Sequence, residues 1–318
     1  MMSAALVILA LAAPNADPQR LLRDYDVAHG EVGVVYHRGW QSWRGEDMAA
    51  YILRSVRRVE ATLGRELSRP ISTVLTSNRE SLHEILSKLI GRRPHDGLRG
   101  LAMPRSDWIF VAGDGSASTV TRGGDSYVTL LHEICHLVNH GGEAQAIPRW
   151  FDEGVCMWVS RNVIPPRDEA YLSGRARIGG IYPVVDLETD FPDLHLPGSI
   201  AYQQSQMMVT FLVERDGPDA LARLLGELDA GTRFGDAYEV VSGHEWESFE
   251  PQFVGWLSSR RSLLEAIASF FNVWTIIALL ALAAIARSFY KSRKLLRQLE
   301  VEERESGRDA LSSPGEAS

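Results

Sequence analysis

The chain lacks the marks of several protein classes. Only two cysteines occur in 318 residues, Cys135 and Cys156, so a disulfide-stapled scaffold and a cysteine-based structural zinc site are both excluded. There is no long basic run around the residues of chemical interest, and the formal net charge is −8. Nucleic acid therefore has no electrostatic footprint here. No segment repeats, which excludes a solenoid. What remains is an ordinary globular composition, 45% hydrophobic and 23% charged, sufficient for one or two domains to bury a core without staples.

What the chain does have is concentrated in one stretch. Tyr127 to His140 reads Tyr-Val-Thr-Leu-Leu-His132-Glu133-Ile-Cys135-His136-Leu-Val-Asn-His140, an apolar, helix-compatible run closed by Gly141 and Gly142. Positions four apart on a helix lie one above the other, so His132 and His136 aim two imidazoles from one face at one metal ion. Glu133 is turned about 100° from His132, where it meets a reacting water without ligating the metal. Seventeen residues after His136 comes Glu153, within Pro148-Arg-Trp150-Phe-Asp152-Glu153-Gly154-Val-Cys156-Met157-Trp158-Val159. This second helix-like run has a proline near its start. Two neutral imidazoles and one carboxylate leave zinc a fourth position for water, the open arrangement of catalytic sites. The competing assignment makes the histidines ordinary core or surface groups and Glu153 a carboxylate facing its helix dipole. His140 continues the four-residue series but lies about 12 Å from His132 along the axis. Three turns cannot converge on one ion, so His140 is read as a cation facing the helix C-terminus.

H-E-x-x-H followed by P-x-W-x-x-E-G resembles the gluzincin metallopeptidases, and among them is most similar to the small peptidase MA-like domains, over roughly residues 30–260. The resemblance implies Zn2+ held by His132, His136 and Glu153, with Glu133 as catalytic base acting on a peptide or protein substrate. It implies an α+β, zincin-like fold with a small mixed sheet and active-site helices. In that family the strand before the active helix forms a sheet edge that pairs with substrate main chain; an ordinary sheet strand is the alternative. The run Ser199 to Gly217 resembles the family's A-Y-x-x-S helix, which implies Tyr202 as hydrogen-bond donor to the oxyanion, with His195 second and plain core packing of Tyr202 as the rival. A metzincin would need a third histidine at position 142, which is Gly142.

One departure from the family pattern bears on function. Four residues after the ligand glutamate, gluzincins often carry an acid that orients a zinc-bound imidazole; here it is Met157. Either Asp152 takes over that role or the site is weakened. The rival function is a catalytically silent zinc-binding module that recruits a partner. Cys135 and Cys156 sit beside the ligands on the two helices, as a disulfide or as two buried thiols.

The rest of the chain supplies the frame. Residues 30–39 read as a strand, Gly45 to Gly64 as an amphipathic helix, Pro70 to Thr76 as a strand, and Arg79 to Ile90 as a helix capped by Ser77-Asn78 and stopped by Gly91. Residues 97–104 and 107–112 read as a strand pair, 113–124 as a loop and 162–196 as an irregular connector. Ser199 to Gly217, Ala220 to Leu228, Gly235 to Val241 and Trp246 to Leu257 read as helices.

Both ends read as membrane-related. Residues 1–16 have the length of a secretory h-region with small residues for cleavage, although the n-region holds no Lys or Arg. Residues 266–286 form an uncharged run of about 31 Å as a helix, long enough for a single transmembrane span. Arg287, Lys291, Arg293, Lys294 and Arg297 follow it, which orients the basic, disordered tail 287–318 to the cytoplasm and residues 17–262 outside it. The expectation is a metallopeptidase domain over 17–262, anchored in the cell membrane by its C-terminal end. An intramembrane protease is excluded, because Arg122, Asp125 and Glu143 flank the motif and the chain has no second or third long apolar run beside 266–286.

Overall fold

The computed structural model describes residues 17–38, 45–113, 125–140, 147–160, 164–192, 200–260 and 277–293. The predicted signal segment 1–16 lies outside these residues, as do most of the loop 113–124, the first part of the predicted span and the end of the tail. The chain divides into two units, one reaching Arg260 and one beginning at Arg261.

In the first unit a short turn, α1 (Pro18–Leu21), precedes β1 (Asp26–Gly30) and β2 (Gly33–His37), which pair antiparallel with Gly30 opposite Gly33. The sequence reading has one strand here; the chain makes two. Gly33 turns the hairpin at a φ of 144°, and a Cβ there would collide with the backbone of Ile71, so only glycine serves. Most of β1 is exposed, which is why no buried alternation betrays it.

Helix α2 (Gly45–Leu63) then lays Met48, Ile52, Val56, Val59 and Leu63 along one buried stripe, the three-to-four spacing of a core-facing helix. Strand β3 (Ile71–Thr76) leads to α3 (Arg79–Ile90), whose first turn is capped by the Asn78 side chain accepting from the Ser81 amide at 2.9 Å. Gly91 ends it in the left-handed conformation. Next come β4 (Gly100–Met103) and β5 (Trp108–Ala112), an antiparallel pair as expected. The sheet order is β1-β2-β3-β5-β4, with β2, β3 and β5 parallel, so β4 is an edge strand.

Alternation along the central strands separates two cores. Ile71, Leu75, Ile109 and Val111 face the larger one, with α2; Val74, Trp108 and Phe110 face the smaller one, beneath Leu82, Leu86 and Leu89 of α3. Covered on both faces, β5 (Trp-Ile-Phe-Val-Ala) reads as a continuous apolar run, whereas β3 keeps Ser72, Thr73 and Thr76 among its apolar residues.

The larger core continues into helices. These are α4 (Asp125–Asn139), α5 (Arg149–Val159), α6 (Pro166–Arg177), α7 (Ile200–Asp216), α8 (Ala220–Asp229), α9 (Phe234–Ser242) and α10 (Phe249–Ser259). Helix α4 packs on β4, β5 and α2, and α5 packs between α4 and α7. The region 162–196, expected to be irregular, instead holds α6 and a 3₁₀ turn at Val184–Leu187. Pro165 and Pro166, which look like breakers, stand at the N-cap and first position of α6, where the missing N–H costs nothing. The architecture is mixed α+β with a small sheet and many helices.

In the second unit residues 277–293 are helical, with Ile277, Leu279, Leu280, Leu282, Ile285 and Phe289 exposed. The expected span 266–286 falls partly outside the described residues, at 266–276. Among the described residues, no helix is long and apolar enough to cross a membrane.

Candidate metal centre

Helices α4 and α5 bring the sequence-predicted residues together. His132, Glu133 and His136 are buried on α4, and Asp152 and Glu153 are buried in the first turns of α5. Trp150 anchors that end of α5, fully buried and stacked on Phe249 with centroids 5.5 Å apart. Gly154 lets α5 approach α7, since a Cβ there would strike the carbonyl oxygen of Ser205.

The three expected ligand atoms converge. His132 Nε2 and His136 Nε2 are 3.1 Å apart, and Glu153 Oε2 stands 3.5 Å from the first and 3.6 Å from the second. Ligands around a tetrahedral zinc at about 2.0–2.1 Å stand about 3.3 Å from one another, so the triangle has the right size for that ion. Both oxygens of Glu153 are buried without a hydrogen-bond partner of ordinary geometry. A buried carboxylate so placed is costly unless a cation meets it. The donor set, two imidazoles and a carboxylate, is of the kind zinc takes.

The electrostatics agree with a site for positive charge. Burial opposes ionisation of Glu153, yet His132 and His136 hold its pKa below the usual value. Burial likewise opposes charge on His136, but Asp152 and Glu153 outweigh it and hold the imidazole well above its ordinary range. At His132 burial prevails and the pKa is lowered.

Glu133 is different. Burial pushes its pKa up to about 8, with the charge of Glu153 adding to the rise and His136 and the Ala102 amide of β4 offsetting part of it. Neither of its oxygens makes a hydrogen bond of ordinary geometry. A divalent cation at the cluster would lower this pKa and favour the basic form. Strand β4 closes over the group: a Cβ at Gly100 would strike Glu133 Oε1 and Thr129 Cγ2. Gly100 is therefore a site residue that the sequence reading, which saw only a strand, did not single out.

The absent acid at Met157 has a substitute. His136 Nδ1 lies 3.0 Å from Asp152 Oδ2, on the side of the ring away from the cluster. His140, expected only to face the helix terminus, also places Nε2 3.0 Å from Asp152 Oδ2, and His136, His140 and Asp152 form a second group of metal-type ligands. Asp152 keeps its charge, its pKa held well below the usual range by the two histidines against the effect of burial. Asn139 donates to Asp152 Oδ1 at 2.6 Å. Cys156 Sγ lies 3.5 Å from His136 Nδ1, and both cysteines are free, buried thiols.

Tyr202, on α7, is buried against Phe191 with ring centroids 4.8 Å apart. Burial raises its pKa well above 10, the charge of Glu153 raises it further, and Arg149 lowers it. Its hydroxyl thus stays protonated within the field of the metal cluster. The other expected donor, His195, lies outside the described residues.

A family model for the Peptidase MA superfamily matches residues 55–259. Similar solved structures include a glutamate-to-alanine mutant of a two domain M1 zinc metallopeptidase bound to L-arginine, at 14% identity over 75% of this chain and 51% of that one, TM-score 0.39. A second is such a mutant bound to L-tryptophan, at 13% identity over 75% and 51%, TM-score 0.38. A third is native yeast LTA4 hydrolase, at 14% identity over 71% and 38%, TM-score 0.36. The chain spans about half the length of the first two and less of the third. No curated protein matches.

Proposed function

The chain belongs to the Peptidase MA superfamily, and from that premise we propose that it is a zinc-dependent peptidase. Membership and the donor cluster together imply Zn2+ as cofactor. His132, His136 and Glu153 are the ligands. The observation that carries this reading is the convergence of their Nε2, Nε2 and Oε2 atoms within 3.1–3.6 Å.

Zinc, when bound, supplies Lewis acidity toward a substrate carbonyl and acidifies its water. Glu133 takes a proton from the attacking water and delivers it to the leaving amine, for which its place one residue after the first ligand and beneath β4 suits it. Tyr202 donates from its phenol to the developing oxyanion. The outer edge of β4, which pairs with no second strand among the described residues, holds the substrate in extended form through main-chain hydrogen bonds. The test is cleavage of unstructured peptides by the parent and by Glu133→Gln. Zinc retained in both, with activity lost by at least about a hundredfold in the variant, supports the assignment. Equal activity in both would remove Glu133 from the chemistry, and zinc without activity in either would favour the silent, partner-recruiting module.

The peptidase unit is further proposed to lie outside the cytoplasm, held by the apolar run 266–286. The uncharged run itself and the exposed apolar side chains along 277–289, followed by Lys291 and Arg293, support this placement. Alkaline carbonate extraction of membranes tests the anchor. Release of the full chain into the soluble fraction would contradict it.

A further inference from the structure

Asp152 would orient nothing if it were free to turn, so what holds it matters. Arg65, buried just beyond the end of α2, carries five N–H groups and no acceptor. All five are used. Nε donates to Asp229 Oδ2 at 2.9 Å, Nη2 to Asp229 Oδ1 at 2.7 Å and to the Leu225 carbonyl at 3.3 Å, and Nη1 to Asn139 Oδ1 at 3.1 Å and to the Asn139 carbonyl. The guanidinium is thus clamped to α8 on one side and to the last residue of α4 on the other.

This fixes the amide of Asn139. Its oxygen must face Arg65, so its NH2 must face Asp152 Oδ1, 2.6 Å away; flipped, it would set NH2 against a guanidinium and oxygen against a carboxylate. Asp152, an acceptor only, is then left with Oδ2 toward His136 Nδ1 and His140 Nε2, each at 3.0 Å. Nδ1 must carry a hydrogen, so in the neutral ring Nε2 is the nitrogen left with a lone pair, and it faces His132 and Glu153.

We propose that Arg65 is a remote positioning residue for the metal centre, acting through Asn139 and Asp152 to hold His136 in the tautomer that offers Nε2 to the metal. The proposal rests on the zinc reading above. A lysine cannot replace Arg65, because one ammonium lacks the planar fork that serves Asp229 and Asn139 together.

The test uses the full chain and three variants, Arg65→Lys, Asn139→Leu and Asp152→Asn, with Leu86→Ala in the other core as a control for lost stability alone. Two quantities are measured: zinc affinity by chelator competition, and the His136 tautomer in metal-free, 15N-histidine-labelled protein at alkaline pH. The expected result is Nδ1–H in the parent and the control. Zinc affinity falls about 10–100-fold in Asp152→Asn, and by a smaller factor in Arg65→Lys and Asn139→Leu, each with a mixed tautomer population. Parent-like affinity and tautomer in Arg65→Lys and Asn139→Leu would overturn the relay and leave Arg65 a structural clamp. If Arg65→Lys does not fold, Asn139→Leu decides, since it removes the link and leaves the Arg65 pair with Asp229. A parent that binds no zinc would sink the zinc reading, and the metal-free tautomers would still decide the relay.

Discussion

Glu133 and Gly100 form a pair in which the strand has given up its side chain so that the carboxylate can lie beneath it. In Gly100→Ala the new methyl displaces either the carboxylate or the strand. The expected outcome is a kcat about tenfold lower or worse, from misplacement of the base, at unchanged zinc content by elemental analysis. Gly100 was not legible as a site residue, because its partner lies on another element. His132, Glu133 and His136 were legible because a helix converts sequence spacing directly into direction. The Arg65 contacts to Asn139 and Asp229 join residues 74 and 164 positions apart, a separation no local pattern encodes. Asp152 was legible as a candidate to orient the imidazole in place of the acid missing at Met157, but not its contacts to Asn139 and His140.

Glu133 also gives a pH signature to the metal-free protein. Its folded pKa, about 8, stands above the ordinary 4.5, so between those values the folded state binds more protons than the unfolded one. Stability contributed by this group is fully present below pH 4.5 and is lost as pH rises through 8. Glu133→Gln removes that dependence. Its melting temperature relative to the metal-free parent should therefore increase from about pH 5 to pH 8, by an amount on the order of a few kcal/mol in stability; a difference independent of pH would contradict the burial assigned to Glu133.

At the scale of elements, the contact of α5 with α7 sets where Glu153 stands. Gly154 meets the backbone of α7 directly, so Gly154→Ala forces the helices apart. The variant should lose about 1–3 kcal/mol in urea denaturation and weaken zinc binding as well, because Glu153 moves with α5. Parent-like behaviour in both measurements would mean that the helix pair yields without cost. Elements with strong amphipathic spacing, α2 and α3, were read from the sequence nearly to their ends, and Asn78 and Gly91 marked the termini of α3. Those with few buried positions were not: β1 is mostly exposed, and α6 begins with two prolines that resemble a loop.

For the whole molecule, the sheet and its first helices serve as a platform. Alternation in β3 and β5 fixes two cores, one of them shared with α4 and α5, and the metal cluster lies between those helices inside that core. Its burial explains why two carboxylates and two imidazoles there are costly unless a cation joins them. The measurement that bears most directly on this is zinc stoichiometry by elemental analysis of the full chain, in the parent, Glu133→Ala and His136→Ala. One zinc per chain is expected in the parent and in Glu133→Ala, with loss of zinc in His136→Ala. No zinc in the parent, or zinc undiminished in His136→Ala, would contradict the ligand assignment.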